Sequence, residues 1–326
     1  MDKPLSFEAY KNEIKKELLS TGLDSYQADI VADYMTTVDF YGVTSHGVRT
    51  LSAHLDKIRS KSYNVNPSIK VIKETPSFAI FDGDNSIGMI SAAECVKYAI
   101  EKARSTGMFT VFSRNNNTFG AAFYYTLIAA RQGMICFAMS NSPAQMAPFG
   151  GKQKMLGTNP FSIAIPSERH TPFVVDMATS AVAKSKFKEY KENGEPLPIG
   201  WALDKDGNPT TDPDAAMEGF VLPMAGFKGY AMSMVIDSIS GFLSGASYLD
   251  GVGRFYGGAD GSMGVGFYFT VMCPKTIYGD DFYQKFDEYI DHIRMSEGES
   301  EKISVPGDDR AKAFEHNMKN GLNFTR

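Results

Sequence analysis

The feature that most constrains the fold is an alternation of strand-like and helix-like segments between residues 69 and 176. One helical pattern ends at Gly107, and another runs from about Ala121 to Gln132. Between them, runs rich in β-branched and aromatic residues predict strands at residues 69–73, 78–82, 108–113, 134–140, 161–166 and 172–176. Strands that alternate with helices are typical of mixed folds, so the chain is predicted to be an α/β (α+β) protein.

Helical patterns also flank this region. Residues 6–60 carry apolar residues at helical spacing, and the last 45 residues are polar and look helical. A further helix is expected from about Phe227 to Leu243. Two pairs predict capping boxes at helix starts, Asp24 with Gln27 and Ser91 with Glu94.

The composition excludes several functional classes. The net charge of −5 gives no reason to expect nucleic acid, because such binding needs a clustered basic face. The N-terminus is charged and amphipathic, unlike a secretory signal, and no apolar run approaches the roughly 18 residues of a membrane span. The three cysteines are isolated and no metal-ligand motif is present. We therefore expect a cytoplasmic protein with buried thiols and no catalytic metal.

The usual nucleotide-binding motifs are absent. No G-x-G-x-x-G follows any predicted strand, and no G-x-x-x-x-G-K-[ST] phosphate loop occurs. The glycines of residues 257–264 have the wrong spacing and are interpreted as turn glycines. If the chain binds a dinucleotide, its pyrophosphate must be held by another backbone arrangement.

The most informative single residue is His46, in the segment DFYGVTSHG (39–47). Gly42 interrupts a helical pattern there, and Ser45 is predicted to be the N-cap of a new helix that continues through Val48. His46 would then lie in the first turn, where the helix dipole disfavours the imidazolium form. Such a histidine can act as a general acid or base. The alternative is an ordinary polar residue near a helix start.

Three further features are not explained by folding alone. Residues 140–160 form a predicted loop of 21 residues, and loops this long inside a compact domain are usually functional. Asp176 ends a predicted strand, which fits either an N-cap or a site residue. Lys228 lies between two glycines at a helix start, where a cation opposes the helix dipole. It either meets an anion such as a phosphate or is a solvated surface lysine.

Several segments together carry a resemblance to a known family. They are SHG (45–47), RNNNTFGAAFYY (114–125), NSPAQMAPFGG (141–151), LGTNP (156–160), DMATS (176–180), GWALDKDGNPTTDP (200–213), GFKGY (226–230) and VPGD (305–308). Their order, over nearly the whole chain, resembles that of the type-2 malate/L-lactate dehydrogenase family. That family also includes ureidoglycolate and sulfolactate dehydrogenases and reductases of cyclic imino acids.

The resemblance has implications for the fold and the partners. It implies an NAD(P)-binding fold unlike the Rossmann domain, which accommodates the missing glycine motif. The expected organisation is a helical domain of residues 1–68 with 278–326, beside an NAD(P)-binding and dimerisation domain of residues 69–277. It further implies a homodimer with the active site between subunits, a small-molecule substrate, and NAD or NADP as the cofactor.

The same resemblance implies roles for individual residues. His46 matches the catalytic proton donor, and we expect Asp176 to hold its imidazole in one tautomer. Thr158 and Asn159 fall in a motif that lines the cleft, and we place Thr158 on the cofactor side and Asn159 on the substrate side. The positions that match cofactor contacts are Ser142, Asp176, Met177, Ala178, Lys228, Pro306, Gly307 and Asp308.

Two departures from the family pattern concern the substrate. Thr118 stands where the family usually has a second histidine, and a threonine hydroxyl is a poor proton acceptor near neutral pH. Thr50 stands where the family usually has an arginine that binds the substrate carboxylate. Arg49 is adjacent, although one residue along a helix turns the side chain by about 100°.

These observations leave three functional hypotheses. The preferred one is an NAD(P)-dependent oxidoreductase that transfers a hydride between nicotinamide and a small 2-hydroxy or 2-oxo acid or a close relative, with His46 as acid/base. The second is an NAD(P)H-dependent reductase of a cyclic imino acid or a non-carboxylate carbonyl, which the loss of a second base favours. The third is a binding protein that has lost turnover.

Other basic residues receive weaker expectations. His54 is expected on a helix surface, and His170, His292 and His316 in solvated segments. The sequence leaves open which lysine would meet the 2′-phosphate of NADP. The candidates are Lys152, Lys154, Lys184 and Lys186.

Overall fold

The structure is a computed structural model that describes residues 3–256, 261–296 and 303–325. Part of the glycine-rich segment predicted to form turns, residues 257–260, lies outside the described residues. No helix among the described residues is long and apolar enough to cross a membrane.

The described helices include the predicted ones, together with short helices at residues 185–193, 213–218 and 274–277 that the sequence did not predict. They are α1 (Phe7–Leu19), α2 (Ser25–Phe40), α3 (Leu51–Arg59), α4 (Gly88–Thr106), α5 (Phe123–Ala130), α6 (Ser185–Asn193), α7 (Pro213–Glu218), α8 (Phe227–Ile236), α9 (Pro274–Ile277), α10 (Phe282–Arg294) and α11 (Asp308–Asn320). Short 3₁₀ helices span Val48–Thr50 and Leu249–Gly251, and a π-helix, Asp237–Leu243, continues α8.

The strands form a large mixed sheet and a small one. They are β1 (Lys70–Glu74), β2 (Phe78–Asp82), β3 (Met108–Asn116), β4 (Ile135–Ser140), β5 (Phe161–Ile165), β6 (Phe173–Met177), β7 (Ala202–Leu203), β8 (Pro209–Thr210), β9 (Phe220–Val221) and β10 (Val265–Met272). The large sheet has the order β1-β2-β3-β10-β4-β5-β6, and the small sheet has the order β8-β7-β9. In the large sheet β2 and β3 are parallel and the other neighbours are antiparallel. The predicted α/β (α+β) class is confirmed.

The helix starts show where local sequence rules hold. Asp24 caps α2 as predicted, because its carboxylate accepts hydrogen bonds from the backbone N–H groups of Tyr26 and Gln27. The second capping box was expected at Ser91, but α4 begins three residues earlier, at Gly88. Ser91 lies inside the helix, and its hydroxyl donates to the carbonyl of Gly88 at 3.3 Å.

Two apolar clusters organise the described chain. The larger joins α1–α5 to the large sheet, with Tyr34, Phe119 and Phe267 fully buried within it. The smaller lies around the small sheet and the loop of residues 140–160, and includes Met146 and Phe187. The division of the chain into residues 1–68 with 278–326 and residues 69–277 stays a prediction.

Candidate active site

The turn that carries His46 lies between α2 and α3. α2 ends at Phe40, and the next regular element is the 3₁₀ helix that begins at Val48. The prediction that Ser45 caps a helix, with His46 in its first turn, is therefore wrong. The physical reason is that the N–H of Val48 donates to the carboxylate of Asp39, so the hydroxyl of Ser45 is not the cap.

Asp39 is buried beneath this turn, with 2% of its surface exposed. Its Oδ2 accepts hydrogen bonds from the N–H of Val48 at 2.8 Å and from the hydroxyl of Tyr10 at 2.9 Å. A Cβ at Gly47 would lie 1.9 Å from Oδ1 of Asp39, so only glycine fits at this position. Burial raises the pKa of Asp39 to about 6, and the hydrogen bonds from Val48 and Tyr10 oppose the rise.

The imidazole of His46 is open to solvent on one side. The hydroxyl of Ser45 lies 2.8 Å from Nδ1, and no described residue forms a hydrogen bond with Nε2. Nε2 is therefore the nitrogen available to a substrate. Desolvation by the protein around the ring lowers the pKa of His46, the positive charge of Arg310 lowers it further, and the charge of Asp176 opposes both. Thus the neutral form is favoured by desolvation rather than by a helix dipole.

Asp176 lies at the end of β6 and pairs with Arg310 of α11. Nη1 of Arg310 donates to Oδ2 of Asp176 at 2.8 Å, and Nη2 donates to the backbone carbonyl of the same residue at 3.4 Å. The guanidinium also lies 4.8 Å from the ring centroid of Phe123. Asp176 is therefore not an N-cap, and its hydrogen-bond partner is Arg310 and not His46. The expected contact that would fix the tautomer is not formed, and Asp176 acts on His46 through its charge.

Thr118 follows β3 in a loop supported by a buried asparagine. The amide of Asn117 donates to the carbonyl of Ser86 at 2.8 Å, and its oxygen accepts from the N–H of Met263 at 3.0 Å. Oγ1 of Thr118 accepts from the N–H of Gly120 at 3.3 Å. No described residue accepts the hydroxyl hydrogen of Thr118, so this half-buried side chain can donate to a substrate.

Arg49 and Thr50 differ in their surroundings. Thr50 is 7% exposed, and its hydroxyl donates to the carbonyl of Gly47 at 2.8 Å. Arg49 is exposed, and its charge opposes the raised pKa of Asp39. Thr50 therefore has no free hydroxyl for a substrate, and of the two residues only Arg49 presents a polar group to solvent.

Asn159 connects the predicted cofactor side of the site to α8. Its side chain is fully buried, and its oxygen accepts from the N–H of Ser142 at 3.0 Å. Its amide donates to the carbonyl of Ser233 at 3.0 Å and to the hydroxyl of the same residue at 2.9 Å. A direct substrate contact by Asn159 stays a prediction, and this geometry favours a role in holding Ser142.

The other predicted cofactor residues gather beyond the end of β6. The carbonyl of Thr158 accepts from both the N–H and the hydroxyl of Thr179, at 2.9 and 3.0 Å. These two hydrogen bonds fix the segment that follows Met177 and Ala178. The side chain of Met177 is 44% exposed, and Ala178 is half-buried. Lys228 lies exposed in the first turn of α8, and its ammonium forms no hydrogen bond or ion pair with any described residue. Thr179 links this segment to the approach of α8, because its carbonyl accepts from the N–H of Met224 at 2.9 Å.

The turn of residues 306–308 packs against the other end of β6. The carbonyl of Pro306 accepts from the N–H of Val174 at 2.9 Å, and Gly307 has a φ of 107°. The carboxylate of Asp308 accepts from Nη2 of Arg294 at 2.9 and 3.0 Å. Because this carboxylate is already paired, a cofactor contact in this turn falls more naturally to its backbone.

A cavity of about 80 Å³ opens beside this turn. Gly307, Phe123, Val174 and Phe314 are among the residues that line it. The lining is mostly apolar, with the charged residues Arg310 and Glu315 at the wall.

Two of the other histidines were assigned wrongly. His54 is 1% exposed, and its Nδ1 lies 3.1 Å from the hydroxyl of Tyr63. His170 is partly buried, with Nε2 at 2.8 Å from Asp291 and Nδ1 at 3.3 Å from Arg294. The cause is tertiary packing, because α3 turns His54 inward and α10 covers the segment of His170. The exposed positions expected for the remaining two are found, and they are His292 and His316.

The four candidate lysines for the 2′-phosphate differ in their contacts. Lys154 donates to the carbonyl of Glu218 at 3.1 Å, and Lys186 pairs with Glu189. Lys184 is half buried, and no described carboxylate pairs with it. Desolvation and the charge of Lys154 lower the pKa of Lys184. Lys152 packs its methylene groups near Gly207.

Sequence reasoning missed two charged residues of the site, Arg310 and Asp39. Arg310 lies two residues beyond the 306–308 turn, and Asp39 lies seven residues before His46. Both residues are close in sequence to recognised motifs, but only the folded structure shows which groups they contact. Among the described residues no group of three or more His, Cys, Asp or Glu side chains is placed to hold a metal ion.

The chain is similar to known proteins over most of its length. The family model for malate/L-lactate dehydrogenase matches residues 5–326. A malate dehydrogenase of Pyrococcus horikoshii is 37% identical, covering 96% of this chain and 89% of that protein. A (2R)-3-sulfolactate dehydrogenase (NADP(+)) of Chromohalobacter salexigens is 30% identical, covering 89% of this chain and 85% of that protein.

The fold is also that of a solved relative. The structure of sulfolactate dehydrogenase from Methanocaldococcus jannaschii superposes with a TM-score of 0.92 at 35% identity, covering 99% of this chain and 93% of that chain. The chain therefore belongs to the malate/L-lactate dehydrogenase family, and it is an NAD(P)-dependent oxidoreductase that transfers a hydride between nicotinamide and a small hydroxy acid or a close relative.

Proposed function

We propose that His46 is the acid/base of this reaction and that the substrate is a small 2-hydroxy or 2-oxo acid. The observation that carries the proposal is the environment of His46. Nδ1 is occupied by Ser45, Nε2 is open, and the charged groups that act on the ring are Asp176 and Arg310. An imidazole held in this way can exchange one proton with a reacting oxygen.

The bound nicotinamide supplies or accepts the hydride. In the oxidation direction, the neutral imidazole of His46 takes the hydroxyl proton at Nε2 as the hydride leaves the adjacent carbon. In the reduction direction, the imidazolium of His46 gives that proton to the carbonyl oxygen. Because the surroundings lower the pKa of His46, the neutral base is ready near neutral pH, and Asp176 stabilises the charged form through space.

Several features of the chain fit a nicotinamide dinucleotide. Ser142, the segment Asp176–Ala178 and the exposed Lys228 match cofactor-contacting positions of the family, and a phosphate would supply the anion that Lys228 lacks. A mostly apolar cavity lies beside Gly307, in the turn whose residues match cofactor contacts. The antiparallel character of the large sheet supports a binding mode unlike the Rossmann domain, which uses a parallel sheet.

The cofactor is proposed to be NAD or NADP, since one relative is named for NADP(+) and another for NAD(+). Lys152, Lys154 and Lys184 have no carboxylate partner among the described residues, whereas Lys186 pairs with Glu189, so one of the first three would meet a 2′-phosphate. The buried state of Cys95, Cys136 and Cys273 fits a reducing, cytoplasmic location.

A homodimer is part of the proposal because α8 and the π-helix expose apolar side chains to solvent. Their inward side consists of small residues such as Gly229, Ser233 and Ser240, all buried. Their outward side is apolar and exposed, with Phe242 at 67% and Phe227 at 61%. A large apolar surface on a soluble enzyme is typical of a subunit interface. Phe242→Glu should therefore shift the mass measured by light scattering from dimer to monomer.

A second candidate function is the reduction of a C=N bond in a cyclic imino acid. Thr118 favours it, since the hydroxyl donates a hydrogen bond but is a poor base, and alcohol oxidation suffers more than reduction from the loss of a base. NAD(P)H oxidation across a panel of 2-oxo acids, cyclic imines and neutral carbonyls distinguishes the two functions.

The role of His46 is tested directly by His46→Ala. We expect kcat to fall by the roughly 10²–10⁴ typical of general acid–base catalysis, with little change in cofactor affinity. His292→Ala is the matched control, because His292 is exposed on α10 and should retain full activity. A His46→Ala enzyme within a few-fold of the parent would remove His46 from the mechanism.

A further inference from the structure

Two backbone hydrogen bonds lie on either side of His46 in the turn. On one side the N–H of His46 donates to the carbonyl of Val43 at 3.1 Å. On the other side the N–H of Val48 donates to the carboxylate of Asp39 at 2.8 Å. The first bond lies within the turn, whereas the second ties the residue beyond His46 back to α2. The orientation of the imidazole therefore depends on a side chain that does not face the substrate.

The burial of the Asp39 carboxylate costs free energy of folding. The residue is 2% exposed, and among the described residues no cationic side chain donates a hydrogen bond to it and Oδ1 is buried without a hydrogen-bond partner. An unsatisfied buried oxygen destabilises a protein, so its presence calls for a compensating role. Oδ1 packs against Gly47, where no Cβ would fit, and Oδ2 accepts from both Val48 and Tyr10.

We infer that Asp39 is a positioning residue that holds the turn of residues 45–48, so that Nε2 of His46 faces the substrate. The inference rests on the proposed role of His46. Asp39 does not touch the reacting atoms, and it acts through the backbone of Val48 and the close packing of Gly47. Tyr10 keeps the carboxylate in place from α1, which links the N-terminal helix to the active site.

The test compares variants that remove or keep the hydrogen bond to Val48. Asp39→Ala removes it, and kcat should fall by on the order of 10–10²-fold, as expected for a misplaced catalytic group. Asp39→Asn keeps an oxygen that can accept from Val48, so kcat should stay within about threefold of the parent. Val48→Pro deletes the N–H itself at a helix start where proline is tolerated, and should match Asp39→Ala.

Asp287→Ala is the matched control for loss of a buried carboxylate. Asp287 is fully buried and likewise accepts from a hydroxyl, that of Ser167, and from a backbone N–H, that of Arg169. Three quantities are measured for each variant. They are the thermal unfolding midpoint, the NAD(P)H affinity by fluorescence titration, and the NMR signal of the His46 ring. Support requires a kcat loss in Asp39→Ala and Val48→Pro with a displaced His46 signal, cofactor affinity within twofold, and no such loss in Asp287→Ala.

Other outcomes overturn the inference. If Asp39→Ala and Val48→Pro keep kcat within twofold, Asp39 contributes only to stability. If Asp39→Asn loses as much kcat as Asp39→Ala, the hydrogen bond to Val48 is not what matters. Because Val48→Pro leaves Asp39 intact, the comparison holds even if Asp39→Ala does not fold. A normal loss in His46→Ala alongside unaffected Asp39 variants would leave the role of His46 standing and refute only this inference.

Discussion

Arg310 and Asp176 form an ion pair, 2.8 Å from Nη1 to Oδ2, beside the imidazole of His46. The pair brings opposite charges to bear on one titrating group. The negative charge raises the pKa of His46 and the positive charge lowers it, while desolvation lowers it as the largest cause. The pKa of His46 is therefore lowered mainly by desolvation, and the opposed charges of Asp176 and Arg310 adjust it further.

The first prediction concerns this balance. Arg310→Gln removes the positive charge and leaves Asp176 unneutralised, and both changes raise the pKa of His46. The base form needed for alcohol oxidation is then reached only at higher pH. The acid limb of kcat/KM for oxidation should move to higher pH, whereas in Lys312→Gln, on the exposed side of α11, it should not. An unmoved limb in Arg310→Gln would show that its charge is screened from His46.

The second prediction concerns Lys228. Its exposed ammonium has no partner among the described residues and lies in the first turn of α8, where only an anion relieves its repulsion from the helix dipole. Lys228→Ala should weaken NAD(P)H binding by about 1.5–3 kcal/mol, the value of a charged hydrogen bond. Fluorescence titration measures the change, and Lys188→Ala, an exposed lysine of α6, serves as control. Equal affinities in all three proteins would place Lys228 at an ordinary surface.

The third prediction links a buried histidine to stability. Burial lowers the pKa of His54 to about 3, with the charge of Lys57 adding to the effect, while an unfolded histidine titrates near 6.5. The unfolded state therefore binds a proton first as the pH falls. The stabilisation is fully present above pH 6.5 and is lost between about pH 6.5 and 3, by up to about 1.4 kcal/mol per pH unit.

Urea unfolding at pH 7, 6 and 5 checks this. The parent protein should lose more stability over this range than His54→Gln, whose side chain does not titrate. His316→Gln, at an exposed site on α11, should follow the parent. Parallel curves for the parent and His54→Gln would mean that His54 is protonated in the folded state.

The six strands predicted between residues 69 and 176 and the long helices were found because hydrophobic periodicity reports on burial. The strands of the small sheet were not predicted, because two residues are too few to show a period. Gly107 and Gly133 have φ values of 81° and 75° at the predicted helix ends, which glycine alone adopts readily. The helix at Ser45 was not predicted correctly. The hydroxyl of Ser45 and the carboxylate of Asp39 compete for the N–H of Val48, and only the return of α2 toward the turn decides for Asp39, nine residues before Val48.

The charged partners of the site residues could not be predicted from the sequence. Asp176 was recognised from its motif, but its cation comes from α11, 134 residues further along the chain. His54 was placed at the surface because helical position alone does not show that Phe255 packs against its ring, at 4.8 Å between centroids. Such pairs depend on how distant elements meet, which local patterns do not encode.

The last prediction tests the two threonines that depart from the family pattern. Thr118 presents a hydroxyl where an imidazole is usual, and Thr50 is buried with its hydroxyl bonded to the carbonyl of Gly47. If they mark a changed substrate rather than a damaged enzyme, Thr118→His with Thr50→Arg should restore the second base and the carboxylate clamp. The double variant should gain activity on malate- or lactate-like acids and lose it on the native substrate, because a site built around small hydroxyls must then hold a ring and a cation.

The two single variants separate the contributions. Thr50→Arg alone should lower KM for carboxylate substrates, since a guanidinium binds a carboxylate in two-pronged fashion, and Thr118→His alone should raise kcat for oxidation. The decisive measurement is the parent enzyme on simple 2-hydroxy acids. Turnover above about 1 s⁻¹, an ordinary enzymatic rate, would contradict the interpretation of the threonines. Arg49, exposed beside Thr50, would then be the group that binds the carboxylate, and Arg49→Ala should raise KM without changing the cofactor affinity.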